Sequence, residues 1–259
     1  MNQVTAAHNK IIIAQFTQQA IPFTNKPEHS QESSLKMLLN ISEVSTSDTV
    51  LDVACGSGIV ACAFAKVAQH VTGIDITPAM IERAKLLQQE KQLHNITWQI
   101  GDILSLPYSD ASFSLIVSRY AFHHFTAPTA VMSEMVRVCS PGGKVMVVDV
   151  APSPEKVDAY NHVEKLRDPS HTRALTLAEI QALAVSAGLC NIKTDFYQLE
   201  MELEQQLEAS FPNPDDADRI RQLFREDLGR DRLGVGTHLR GEEIYFAYPI
   251  AIVIGQKRV

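Results

Sequence analysis

The sequence predicts an α/β fold, a doubly wound and mostly parallel sheet, on three observations. From Thr49 onward, β-like runs alternate with amphipathic helical patterns at the spacing of βαβ units. The first run, Val50-Leu51-Asp52-Val53, opens into a small-residue turn, Ala54-Cys55-Gly56-Ser57-Gly58, and an apolar helical pattern follows at once. An acid, Asp75, stands at the tip of the second run, His70 to Asp75, seventeen residues beyond Gly58.

Each element has a local reason. Residues 3–20 read as an amphipathic helix with Ile11, Ile12, Phe16 and Ala20 close to one face; Pro22 ends it and Phe23 follows. A second helix covers 28–41, with Leu35, Leu38, Leu39 and Ile41 inward. Both precede the first strand, so residues 1–45 read as a cap or lid. The core, 46–150, then runs as strand 49–53, helix 58–68 and strand 70–75. Thr77-Pro78 opens the next helix, with an N-cap residue and a proline at the first helical position. It continues to about Gln92 on the stripe Met80, Ile81, Ala84, Leu87 and Leu93. Strand 95–100, a turn from Gly101 to Pro107, strand 113–118 and helix 128–139 follow. Ser140-Pro141-Gly142-Gly143 stops that helix and leads into strand 143–150.

The remainder, 151–259, changes character. Helix 154–166, the polar turn Arg167 to His171, and helix 176–187 stopped by Gly188 come first. Strand 191–201, helical segments 203–210 and 214–229, and a last long strand at 243–255 complete the chain. A late strand pair joined by a helical insertion adds an antiparallel strand to the parallel sheet. The whole reads as one domain, residues 1–259.

Composition narrows the partners. The chain has 259 residues, 45% of them apolar, which suffices for a sizeable core. A formal charge of −7 with no dense basic patch argues against nucleic acid as the main partner. The four cysteines are scattered without metal-ligand spacing, so no metal is expected and the thiols read as reduced, in a cytoplasmic protein. The first ten residues lack a signal-peptide core, and the longest apolar runs are too short to span a bilayer. A small-molecule substrate remains, with monomer and homodimer both open.

The glycine turn and the acid point to a ligand. Gly56 and Gly58 let the backbone take positive φ and come close to a bound group. The turn lacks the full G-x-G-x-x-G dinucleotide fingerprint. Asp75, at a second strand end, is placed to accept hydrogen bonds from ribose hydroxyls. The two features indicate a nucleoside-bearing cofactor.

Five segments resemble the class I S-adenosylmethionine-dependent methyltransferases, and most of all their ubiquinone/menaquinone-biosynthesis C-methyltransferase branch. They are Leu51 to Gly58, Gly73 to Met80, Gly101-Asp102-Ile103 with Leu106-Pro107, Phe113 to His124, and Arg137-Val138 with Pro141-Gly142-Gly143. The resemblance is close over 49–150 and looser elsewhere. It implies a Rossmann-like, seven-stranded sheet with the last strand antiparallel. S-adenosyl-L-methionine would be the cofactor and S-adenosyl-L-homocysteine the product. It also implies roles. Asp52, Ala54 and the Gly56–Gly58 backbone hold the methionine end. Asp75 holds the ribose, and Ile76 and Met80 pack on the ribose or adenine. Asp102, after Gly101, accepts from the adenine amino group, with Ile103 against the ring. Arg119 sits beside the methionine moiety.

Methyl transfer is an in-line displacement, so alignment and desolvation carry most of the work. A general base helps if the acceptor is a phenol, an enol or a carbon acid. The candidates are His123, His124 and His171, the first two after strand four and the third in the polar turn. Phe16, Phe23, Tyr120 and Phe122 are candidates to line an apolar pocket or face a sulfonium. The expected reaction is C- or O-methylation of a small apolar or aromatic acceptor. Two alternatives stand beside it: a nicotinamide-dependent oxidoreductase, and a protein that keeps the cofactor without transferring its methyl group.

Overall fold

A computed structural model describes residues 3–25 and 32–259, with residues 3 and 22–25 described in backbone alone. Two helices, α1 (Gln3–Asn25) and α2 (Glu32–Ser42), precede β1 (Thr49–Val53). Then come α3 (Ile59–Phe64), β2 (His70–Asp75), α4 (Pro78–Glu90), β3 (Ile96–Ile100), β4 (Phe113–Arg119) and α5 (Pro128–Val138). The chain continues through β5 (Cys139–Val150), α6 (Val157–Arg167), α7 (Leu177–Ser186), β6 (Leu189–Glu202) and α8 (Leu203–Ser210). It closes with α9 (Pro214–Asp227), β7 (His238–Arg240) and β8 (Glu243–Lys257).

The sheet order is β3-β2-β1-β4-β5-β8-β6, with the three-residue β7 hairpinned onto β8. Strands β1 to β5 pair in parallel, and β8 runs antiparallel between β5 and β6. The expected seven strands are all present, and β7 is an eighth. It had escaped the sequence reading because three residues are too few to show a period of two.

Alternation along the strands splits the core into two layers. Val50, Met146, Val148, Ile252 and Ile254 face one side, against α2, α3, α6, α8 and α9. Leu51, Val53, Val145, Val147 and Val253 face the other, against α5 and α7. The direction of winding reverses between β1 and β4, which opens a crevice at the strand carboxyl ends.

Three expectations are corrected. Pro22 does not end α1, whose backbone stays helical to Asn25; one lost donor near a helix end is tolerable because proline's φ is already helical. Helix α2 is no lid: Leu38 is fully buried in the first core layer, and the helix lies on α3 and β8. Residues 28–31 of the expected second helix lie outside the described residues. Strand β5 begins at Cys139, and Pro141 to Gly143 form an irregularity within it, where the partners of Phe113 and Leu115 jump from Cys139 to Lys144.

Gly58 and Gly73 have a packing role. A Cβ on Gly58 would stand 2.6 Å from the Trp98 ring and 2.8 Å from Ala84 Cβ; one on Gly73 would stand 2.4 Å from the same ring. The two glycines make room for the one tryptophan, which seats against β2 and α4. Gly73→Ala therefore destabilises by about 1–3 kcal/mol, the usual cost of overpacking. A denaturant titration reads this, and an unchanged midpoint would show that the Trp98 ring has room to move.

Candidate active site

The crevice holds a cleft of about 1040 Å³ of empty space. Its floor is the β1–α3 turn. Ala54 and Gly56 both take positive φ there, +56° and +52°. For alanine that conformation is strained, and it brings the turn's backbone close to the cleft. A Cβ on Gly56 would meet nothing within 4 Å, so that glycine faces open space.

Two acids close the floor. Asp52 is buried and accepts from the Ala61 N–H at 3.0 Å through Oδ2. Burial pushes its carboxyl up to about 7, against the pull of Arg119 and the Ala61 N–H. Asp75 accepts from Gly56 N–H and Thr77 N–H, both at 2.8 Å, and burial raises its carboxyl too. Asp75 thus ties the β1 turn to the start of α4. The cost of burying two acids is met only partly by these bonds, as in a site that awaits a cationic or hydroxyl-bearing ligand.

The walls come from β4, the loop after β3, and α1. Asp102 accepts from Leu104 N–H at 2.9 Å and from Asn9 Nδ2 at 3.2 Å. Ile76, Met80 and Ile103 supply apolar lining. The Arg119 guanidinium lies 4.7 Å from the centre of the Tyr120 ring. Helix α1 roofs the cleft with Thr5, His8, Asn9, Ile12 and Phe16. Those positions follow helical spacing. Ile11, assigned to that face from the sequence, instead points outward.

Of the eleven expected cofactor residues, nine line the cleft: Asp52, Ala54, Gly56, Asp75, Ile76, Met80, Asp102, Ile103 and Arg119. Gly58 and Gly101 do not. Gly58 packs as described above. Gly101 donates its N–H to Asp75 O at 3.0 Å and abuts Ile74, so it shapes the loop from behind.

A second cavity, of about 650 Å³, adjoins the first and shares Phe16, Tyr120 and His124 with it. Tyr120 carries a strained φ of +56° and bonds its hydroxyl to that of Tyr197 at 2.6 Å. His124 meets Phe16 edge to face at 5.0 Å. These three rings stand between the two cavities.

The histidines separate into three roles. His123 lines the second cavity and holds Asp149 through Nδ1 at 2.6 Å. Burial alone would lower its pKa, but the Asp149 carboxylate outweighs it and the net shift is upward. Its Nε2 makes no hydrogen bond among the described residues. His124 touches the Ser170 carbonyl through Nδ1 at 3.0 Å, which makes Nδ1 the protonated nitrogen. Burial and His123 push it down to about 4, so it is neutral at pH 7. His171 lines neither cavity. Its Nε2 bonds Asn161 Oδ1 at 2.7 Å, and burial lowers its pKa. The polar turn folds inward around Asp168, so His171, a base candidate by sequence, is corrected to an interior residue away from both cavities.

Phe122 is likewise corrected, since it lies in the second core layer against Phe125. The Phe23 side chain lies outside the described residues. The sequence reading missed Thr5, His8 and Asn9 on the cleft face of α1, Ser57, and Asp149. An acid inside the apolar run Val145 to Val150, next to a strand end, was the available signal for the last.

A methyltransferase domain family profile matches residues 51–147. The uncharacterized methyltransferase YcgJ of Bacillus subtilis strain 168 is 30% identical over 250 residues, 94% of this chain and 98% of that protein. The crystal structure of YcgJ superposes with a TM-score of 0.81, covering 88% of this chain and all of the other. A demethylmenaquinone methyltransferase of Deinococcus radiodurans is 38% identical over 105 residues, 40% of this chain and 43% of that protein. Among the described residues no helix is long and apolar enough to cross a membrane.

Proposed function

This chain belongs to the class I S-adenosylmethionine-dependent methyltransferases, and we propose that it methylates a hydroxyl or acidic carbon of a small, aromatic or apolar acceptor held in the second cavity. The nicotinamide alternative gains nothing from this membership.

The first cleft fits the cofactor. Ser57 lines it, with its Oγ buried and without a hydrogen-bond partner among the described residues. The open face of Gly56 and two incompletely compensated acids add to the match. Asp52 would hold the methionine ammonium, Asp75 the ribose diol, and Asp102 the adenine amino group. When bound, the cofactor supplies a methyl carbon already activated by its sulfonium. Phe16, Tyr120 and His124, at the boundary of the two cavities, exclude water there and offer ring faces to positive charge.

The observation that carries the proposal is the His123–Asp149 pair in a cavity that adjoins the cofactor cleft. Asp149 fixes the proton on Nδ1 and raises the basicity of the ring, leaving Nε2 with a free lone pair. His123 then takes the acceptor's proton, and the acceptor becomes an oxyanion or carbanion. A neutral amine needs no such base. The test is a screen of phenols, enols and amines with methyl-labelled cofactor. Turnover of phenols or enols is the expected result, and turnover of amines alone would overturn the proposal.

Asp52 makes cofactor binding depend on pH. An acid whose folded pKa is raised to about 7 favours the proton-bound folded state. Its stabilising contribution is present below the ordinary carboxyl value and is lost as pH rises toward 7. The cofactor ammonium instead requires the carboxylate. Affinity therefore rises between pH 6 and 8, with a proton released on binding at the acid end. Calorimetry in buffers of different ionisation enthalpy measures this. A flat profile with no proton release would separate Asp52 from the ammonium.

A further inference from the structure

The second cavity carries polar side chains that do not line the cofactor cleft. Tyr160 is one of them and is 4% exposed. Its hydroxyl makes no hydrogen bond among the described residues, and it is not sealed from the cavity. A buried phenol that keeps its donor and acceptor unused costs stability, unless a ligand completes it. Its neighbours are already engaged. Glu164 accepts from Arg167 at 2.6 and 3.0 Å and from the Tyr248 hydroxyl at 3.2 Å. Tyr248 in turn accepts from Gln206 at 3.2 Å. Asp168 accepts from Ser170 N–H at 2.8 Å and lies 3.9 Å from Arg167.

The charges do not balance. Asp149, Glu164 and Asp168 line this cavity, against Arg167 and a His123 that gains or loses its proton. Acids exceed cations whichever state His123 adopts, and His124 is neutral. Low-dielectric walls make such an excess selective: an anion is repelled, and a hydrogen-bond donor or cation is favoured.

We propose that Tyr160 binds a second polar group of the acceptor, remote from the methylated atom, and that this group is neutral or cationic and never a carboxylate or phosphate. The inference rests on placing the acceptor in the second cavity. It adds the acceptor's charge class and a residue that selects it.

Three catechols test it: 4-methylcatechol, 3,4-dihydroxyphenethylamine and 3,4-dihydroxybenzoate. They share one reacting ring and differ in the charge of the tail. Binding is measured by calorimetry on the full chain loaded with S-adenosylhomocysteine, and turnover with labelled S-adenosylmethionine. The neutral and cationic rings are expected to exceed the anionic one by about tenfold or more in affinity and kcat/KM. Tyr160→Phe removes only the hydroxyl. It is expected to raise KM for the favoured ring roughly fivefold or more, with kcat and cofactor affinity within about twofold. Asp168→Asn is expected to narrow the preference against the anion. Equal or better use of the anionic ring overturns the charge inference, and an unmoved KM in Tyr160→Phe overturns the residue assignment. If none of the three rings binds or reacts, the phenolic acceptor reading falls and takes this inference with it.

Discussion

Asp149→Asn lowers kcat for methyl transfer by roughly 10²–10⁴-fold, the range for loss of a general base. The change keeps the shape of the side chain. It removes the charge that raises the His123 pKa, and it puts an NH2 donor where one of the two oxygens accepted from His123, which unsettles the Nδ1–H tautomer. His123→Gln gives a loss of the same order by removing the base itself. Cofactor affinity stays within a few-fold in both variants, because neither residue lines the first cleft. Steady-state kinetics and calorimetry separate the two quantities. The pH profile is a second check. In the wild type kcat/KM falls with acid through a pKa above the ordinary histidine value of 6.5, as the base becomes protonated. That limb disappears in His123→Gln. Normal turnover in both variants would mean that the pair is structural, an ion pair that only anchors the turn after β4.

Asp75→Ala weakens S-adenosylmethionine binding by about 100-fold, or roughly 3 kcal/mol, the upper range for a hydrogen bond to a charged group. Two losses add here. The ribose loses an acceptor, and the Gly56 and Thr77 N–H groups lose the carboxylate that ties the cleft floor to α4. Asp75→Asn keeps one carbonyl oxygen and falls between the variant and the wild type. Calorimetry reads the affinity, and circular dichroism shows whether the fold survives. Unchanged affinity in Asp75→Ala would remove the ribose assignment.

The strands and most helices were legible because their signals are local. The near-continuous apolar run, rich in β-branched valine, from Val145 to Val150 and the Thr77-Pro78 start of α4 depend on a few neighbouring residues. The cleft residues Asp52, Asp75 and Asp102 were legible for a related reason. Each stands at or just after the carboxyl end of a parallel strand, and parallel pairing brings all such ends to one edge. The second cavity was not legible. Its walls come from α1, the turn after β4, β5, α6, β6, α8 and β8, which lie far apart in the chain.

The three histidines show the division most directly. By sequence all three were base candidates, two in the loop after strand four and one in the polar turn after a helix. The fold paired His123 with Asp149, neutralised His124 by burial, and turned His171 into the interior. The two glycines that the motif assigned to one ligand likewise parted, Gly56 to the cleft and Gly58 to Trp98. What the sequence determined alone was the order of strands and helices, the sheet edge that binds a ligand, and the nucleoside-bearing cofactor. Those follow from periodicity and from residue types at strand ends. Which histidine can take a proton, which helix roofs the site, and where an acceptor fits were decided only by tertiary structure. Burial and charge pairing depend on groups brought together from distant parts of the chain, and no local pattern encodes them.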